Sequence, residues 1–369
     1  MVPQTVKKPD RNPDEDRDYF SRALDSCRAL AADPGQAHRL TDKYNSVAVL
    51  TDGSSVPGLG DVGPLASLPL VEGKARLMGR LADIAAFPLV VDARTADDVV
   101  RTVSALAPSF GAVSLEAMSE ATSLEIKRRV QELGELPVFH DTQDGLPVLC
   151  LAAVLNALKV VGKKMAEIRL VIAGTEAEGL PVVDFFRLAG AADIVVCDRT
   201  GAIHRGRPGV TNWIKEELAL KTNPRQVKGS LTKSLAGADV LILVSQAGPP
   251  GREVVAPMAE GAVVLNLTDQ KGADFEQAAV LADTGYERPG RLTGSLVFPG
   301  LIRGALDSRA RSINAPMKMA AAMALSRLVP EAELSPELIV PGLDKSDLVS
   351  AMAEAVSAAA AASGTSRLV

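Results

Sequence analysis

At 369 residues the chain is long enough for two domains with cores of their own, and 47% apolar against 23% charged residues is the composition of a globular protein. A net charge of -5 offers no basic surface to a phosphate backbone, and aromatic residues at 3% leave few platforms for base stacking, so nucleic acid is excluded as a partner. Cys27, Cys150 and Cys197 are odd in number, far apart and without C-x-x-C spacing, and His38, His140 and His204 are the only histidines. That pattern points to a reducing cytoplasm and supplies no thiolate or imidazole metal cluster.

The leader, residues 1–18, is polar and proline-containing, and no apolar run of about 18 residues follows, so neither export nor membrane insertion is expected. Residues 19–30 read as a short helix and 46–51 as a strand that ends in a glycine-rich turn, Asp52-Gly53 through Gly58-Leu59-Gly60. Helices at 70–81, 96–106 and 123–133 then alternate with strands at 88–92, 112–115 and around Val138-Phe139. This is the βαβ rhythm of a parallel sheet. A long apolar helix at 148–161 leads through Gly162-Lys163-Lys164 to a second set of strands, including 240–244 and 263–267. Residues 310–328 and 347–362 are helical, the latter alanine-rich and expected to pack at the surface. The pattern predicts an α/β fold of two domains: 1–150, a catalytic-type unit, and 151–369, a Rossmann-like doubly wound parallel sheet with C-terminal helices.

The stretch Arg169-Leu-Val-Ile-Ala-Gly174-Thr-Glu176-Ala-Glu178-Gly179 is an apolar strand running into what reads as a dinucleotide turn. In the G-x-G-x-x-G fingerprint the first glycine makes the turn, the second lets the backbone touch the pyrophosphate, and the third lets helix and strand pack closely. Gly174 and Gly179 hold the outer positions, but Glu176 holds the middle one. A helix over 177–189 with Pro181 in its first turn and a strand over 194–197 ending in Asp198 complete the unit, with Asp198 where a ribose hydroxyl is held. A carboxylate roughly 5 Å from a phosphate repels it by about 3 kcal/mol at an effective dielectric near 20, a loss of about a hundredfold in affinity. The alternative is that Glu176 and Glu178 simply favour the positive end of their own helix.

The strings Asp52-Gly53, Gly58-Leu-Gly60, Glu72-Gly-Lys74-Ala75, Phe139-His-Asp141, Leu155-Asn-Ala-Leu158, Val196-Cys-Asp198-Arg, Phe298-Pro-Gly300 and Arg303-Gly-Ala-Leu-Asp307 together resemble the short bacterial malic enzymes. The resemblance runs in order, with matching spacing, from about residue 19 to residue 341. It implies NAD(P) and Mg²⁺ or Mn²⁺ as cofactors, malate as substrate and a homodimer. It also implies a tyrosine and a lysine as acid and base, falling on Tyr19 and Lys74. Burial of Lys74 would lower its pKa towards use as a base. The Thr-Pro-Gly that follows the family's tyrosine is replaced here by Phe20-Ser21-Arg22.

The family's metal carboxylates, Asn-Leu-Glu-Asp and the Asp-Asp of Phe-His-Asp-Asp-Gln-His-Gly, correspond to Ser114-Leu-Glu116-Ala117 and Phe139-His-Asp141-Thr142-Gln143-Asp144-Gly145. Two of three ligands have become Ala117 and Thr142. Glu116 remains, and Asp141 and Asp144 either rebuild a site or serve as a loop-capping carboxylate and a solvated turn residue. The family's Asn-Pro corresponds to Asp269-Gln270, and its asparagine run to Gly290-Arg291-Leu292-Thr293-Gly294, which leaves Arg291 and Thr293 on the substrate side. Arg291 either binds a carboxylate bidentately or faces solvent. The cofactor side retains Gly174, Gly179, Asp198 and Ser245, with Glu176 as the obstruction, and neither cofactor is expected to bind tightly.

Three functional expectations follow. The first is a divergent malic-enzyme-like protein that has lost oxidative, metal-assisted decarboxylation but retains Lys74 and Tyr19 for non-redox chemistry on a small carboxylate. The second is a catalytically silent regulator or scaffold. The third is an active NAD(P)-dependent malic enzyme with a rebuilt metal site.

Overall fold

The computed structural model describes residues 13–368 apart from 94, 135, 175, 209–211, 245–255, 269–274, 276 and 286–289, and without the side chains of 13–19, 120–121 and 176–177. It opens with helices α1 (Pro13–Ala32) and α2 (Ala37–Leu40) and strand β1 (Ser46–Thr51). Then come α3 (Gly63–Ala82), β2 (Ala85–Val90), α4 (Ala96–Leu106), β3 (Ala112–Leu115), α5 (Glu120–Leu133) and β4 (Val138–His140). A single π-type turn, Asp141–Gly145, enters α6 (Leu146–Val160). The second half holds β5 (Arg169–Ala173), α7 (Glu176–Leu188), β6 (Asp193–Asp198), β7 (Gly201–Ala202), α8 (Trp213–Lys221) and α9 (Leu231–Ser234). It ends with β8 (Val240–Leu243), β9 (Val263–Asn266), β10 (Val280–Asp283), α10 (Phe298–Asp307), α11 (Ala315–Arg327) and α12 (Leu348–Ala362).

The strands form a four-stranded parallel sheet in the order β2-β1-β3-β4 and a six-stranded sheet in the order β10-β9-β8-β5-β6-β7, parallel except for β7. In each sheet the chain steps first to one side of its opening strand and then crosses to the other, so strand order reverses at β1/β3 and at β5/β8. Ligand crevices in open α/β sheets lie outside the carboxyl ends of strands at such points. After the first sheet the chain enters α6, most of which is buried. With the preceding turn it makes the stretch Asp141–Val160, the one helix among the described residues long and apolar enough to cross a membrane, and 78% of it lies inside the fold.

Two prolines shift element boundaries from those predicted. Pro88 sits within β2 rather than at its start, which is tolerated because β2 is an edge strand and one flank needs no ladder bond. Helix α3 starts at Gly63, not at 70, with Pro69 inside it; the carbonyl that Pro69 leaves without a partner belongs to Leu65, 79% exposed and open to water.

The alanine-rich C-terminal helix departs from its predicted surface position. Its Leu348, Met352, Ala353, Val356 and Ala360 are buried, packed on α10. A side-chain carbon at Gly300 would lie 2.7 Å from Met352 Cβ, and one at Gly304 2.6 Å from Val356 Cβ. The glycines of Phe298-Pro-Gly300 and Arg303-Gly304 thus hold open a groove for α12, and any larger residue would push the two helices apart.

Candidate active-site cleft

The carboxyl ends of both sheets face one cleft of about 780 Å³. The first sheet delivers Glu116 after β3 and Asp141 after β4; the second delivers Val244 after β8, Leu267 after β9 and Thr284 after β10. Helix α3 places Lys74 between them. Its ammonium lies 2.6 Å from Glu116 Oε1 and pairs with Asp141 Oδ2, while Ser114 Oγ donates to Glu116 Oε1 at 2.6 Å. The rings of Phe139 and Phe298 stand 5.1 Å and 4.8 Å from the same nitrogen and shield it from water.

Burial and the neighbouring charge of Asp141 push the Glu116 carboxyl up to about 7, even against the pull of Lys74. Lys74 moves the opposite way from the expected base. Burial works to strip its proton, but Asp141 and Glu116 together outweigh that and raise its pKa, so it stands in the cleft as an ammonium. Asp141 Oδ1 is buried without a hydrogen-bond partner, with the backbone of Gly145 and Gly294 close by. A buried acceptor of this kind calls for a donor from a ligand or water.

The metal-type positions do not fit a divalent cation. Glu116 and Asp141 converge on Lys74 instead of on an open coordination site, Ala117 and Thr142 add no carboxylate, and among the described residues no group of three or more His, Cys, Asp or Glu is arranged to hold a metal. Asp144 is neither a replacement ligand nor a solvated turn residue. It is fully buried, bonded through both oxygens to Lys127 at 2.5 Å, 3.4 Å from Lys318 Nζ, and accepts from the His140 N–H at 3.0 Å. Ala117 keeps a left-handed backbone, φ 47°, and its carbonyl accepts from Ser55 N at 2.9 Å.

On the nucleotide side, Gly174 closes β5 by donating to Cys197 O at 3.1 Å, and a carbon added to Gly179 would touch Val196 at 3.7 Å. Asp198 does not present a free carboxylate to a ribose. Arg207 donates to both its oxygens at 2.7 and 2.9 Å, the amide and hydroxyl of Thr200 donate at 2.8 Å, and Lys215 lies at 3.2 Å. Although burial opposes ionisation, these donors, Arg207 foremost, hold the group down at about 2. A ribose hydroxyl would have to displace one of them. Glu178 lines the cleft, whereas the side chain of Glu176 and all of Ser245, Asp269 and Gln270 lie outside the described residues. So does the Tyr19 side chain, its backbone being part of α1.

Of the two substrate-side residues, Thr293 lines the cleft, and its hydroxyl caps the following turn by accepting from Ser295 N. Arg291 neither faces the cleft nor floats in solvent: it is 22% exposed and ion-paired with Asp283 at the end of β10. Lys127, Lys318, Arg207 and Lys215 went unnoticed in the sequence. Lys127 did leave a signal there, because it falls on the stripe Ser123, Ile126, Val130 that α5 buries, where a lysine requires a partner.

Comparison with known proteins places this geometry. Residues 32–98 match the family model for the malic enzyme N-terminal domain. The NAD-dependent malic enzyme of Geobacillus stearothermophilus is 41% identical over 96% of this chain and 75% of its own length. The bifunctional malic/malolactic enzyme of Bacillus subtilis is 37% identical over 95% and 87%. Among solved structures, the NAD-dependent malic enzyme of Thermotoga maritima superposes with a TM-score of 0.89 at 32% identity, covering 96% of each chain. These likenesses span both sheets and the cleft between them: the chain belongs to the malic enzyme family.

Proposed function

We propose that this family member moves protons on a small 2-oxo carboxylate without a metal and without hydride transfer. The observation that carries the reading is Lys74 held as an ammonium between Glu116 and Asp141, at the place where both sheets end. With two of its three N–H groups directed at those carboxylates, Lys74 keeps one donor for a substrate oxygen. Glu116, with a carboxyl near 7, is matched to proton transfer at neutral pH. In the proposed step the Glu116 carboxylate takes a proton from the carbon beside the substrate carbonyl. The electron pair of that C–H bond becomes the enolate, and the charge gathering on its oxygen is met by the Lys74 ammonium. Protonation of the enolate at carbon returns the keto acid with its hydrogen exchanged, and protonation at oxygen gives the enol, with no oxidant or reductant in either case. Tyr19, by family resemblance, is the second acid.

The proposal is tested by titrating pyruvate, oxaloacetate and C4 dicarboxylates against thermal stability. Saturable stabilisation that disappears in Lys74→Met supports a working carboxylate site, and a flat response across the panel contradicts it. A second reading draws on the 41% identity to a named NAD-dependent malic enzyme, namely that NAD(P)-linked malate oxidation persists. Reduction of NAD or NADP by malate with Mn²⁺, abolished in Lys74→Ala, would decide for it.

A further inference from the structure

Behind the catalytic turn lies a second cavity, about 990 Å³, between α5, α7, α8 and the start of α11. Its walls are apolar where they matter for a ligand body: Leu180, Phe185, Leu188 and Trp213 line it, and Leu188 and Trp213 are more than half exposed. Its deep end carries Lys127 and Lys318, which share the single carboxylate of Asp144. Two ammonium groups against one carboxylate leave one positive charge uncompensated at this end of the cavity. The acids at the rim lie against cations of their own, with Asp184 and Glu217 sharing one, so the negative surplus stands at the mouth and the positive one at the deep end. Glu125 is paired with Arg129 at 3.1 Å, and Asp184 and Glu217 are both paired with Lys221 at 2.7 and 2.6 Å.

Donor geometry gives the same answer as charge. Lys127 directs two N–H groups to the oxygens of Asp144, and Lys318 directs its own to Gln143 O and Asp144, so each ammonium retains a donor. The size is that of a small-molecule pocket, and the combination of apolar walls with a few convergent polar groups is what such pockets share.

We propose that this cavity is a binding site for a monoanion with an apolar body, such as a medium-chain or aryl carboxylate, its charged end on Lys127 and Lys318 and its body against Phe185 and Trp213. The site is separate from the Lys74 cleft. The two lie on opposite sides of one turn, with Asp141, Thr142 and Gly145 lining the cleft and Gln143 lining the cavity.

Trp213 is the chain's single tryptophan, so its fluorescence reports on this cavity directly. Octanoate should shift the emission saturably, octanol should bind about tenfold or more weakly, and Lys318→Gln should weaken octanoate by a similar factor. Leu188→Glu, at an exposed wall position where folding is not at stake, should abolish octanoate binding while leaving the circular dichroism unchanged. Equal binding of octanoate and octanol, an unaltered response in Leu188→Glu, or no saturable shift would each overturn the proposal. Because pyruvate and malate address the other cleft, their behaviour has no bearing on this outcome.

Discussion

Two lysine–carboxylate clusters flank the turn Asp141–Gly145, and they are built with opposite balances of charge. On the cleft side two acids, Glu116 and Asp141, share one ammonium, Lys74; on the far side two ammonium groups, Lys127 and Lys318, share one acid, Asp144. Burial is the largest push on the perturbed group in each cluster, and the neighbour of like charge adds to it. Where acids are in excess an acid is perturbed, and Glu116 rises to about 7; where amines are in excess an amine is perturbed, and burial lowers Lys127 to about 8 against the pull of Asp144. On the readings proposed above, the first arrangement serves proton transfer and the second holds an anion.

The comparison is broken most severely by removing the minority charge on the far side. Asp144→Asn strands two lysines with no counter-ion, and because Asp144 is fully buried the loss of stability in urea should be about 3–5 kcal/mol. A loss under about 1 kcal/mol would mean that the lysines find other partners or solvent.

The two clusters should also answer pH with opposite slopes. The folded chain holds the Glu116 proton that the unfolded chain gives up, so that contribution to stability is complete below about pH 4.5 and is lost as pH rises through about 7. Lys127 is lowered from 10.5 to about 8, so its contribution is present above pH 10.5 and is lost as pH falls through 8. Relative to Glu116→Gln the parent should therefore lose stability between pH 4.5 and 7, and relative to Lys127→Met it should gain between pH 8 and 10.5. Parallel curves for parent and variants would refute the assignment. At a fixed pH near 7, Glu116→Gln itself should cost only about 1 kcal/mol or less, since Asp141 still pairs with Lys74.

The smallest effect belongs to the turn after β3. Ala117 adopts φ 47°, a conformation that penalises any residue with a side-chain carbon, so Ala117→Gly should be stabilising by about 0.5–1 kcal/mol in equilibrium unfolding. A loss of stability would indicate that the Ala117 methyl packs more than the bend strains. The same position sharpens the comparison in another way. Ala117→Asp combined with Thr142→Asp adds two carboxylates around Glu116 and should bring saturable Mn²⁺ binding, seen by the paramagnetic relaxation of water; no gain over the parent would mean that Lys74 still fills the space.

The sequence carried the fold through local signals. The period of the strands and the glycine turns marked β1 and β3 to the residue, and the family strings singled out Lys74, which the structure puts in the cleft. Charge partnership was not legible in the same way, because it is made between distant segments. Asp144 stands before a glycine in a polar run and looks like a surface turn, yet its partners come from α5 and α11. Asp198 has the position of a ribose ligand, and only the fold of the loop after it brings Arg207 and Lys215 onto its oxygens. Lys74 could be placed from its motif, but whether its pKa falls or rises depends on two carboxylates reaching it from separate strands. The alanine-rich α12 shows the same limit for packing, since its buried face is set by two glycines in a different helix.

The central claim is that Lys74 and Glu116 together move a proton in a cleft whose cation position is filled by the lysine itself. It is tested most directly by following the methyl hydrogens of pyruvate in D₂O by proton NMR with the protein and excess EDTA present. The account predicts that the methyl signal decays faster than in buffer, that EDTA leaves the rate unchanged, and that Lys74→Met and Glu116→Gln each slow it by about a hundredfold or more. Exchange that appears only after Mn²⁺ is added, or that proceeds undiminished in Glu116→Gln, would contradict it.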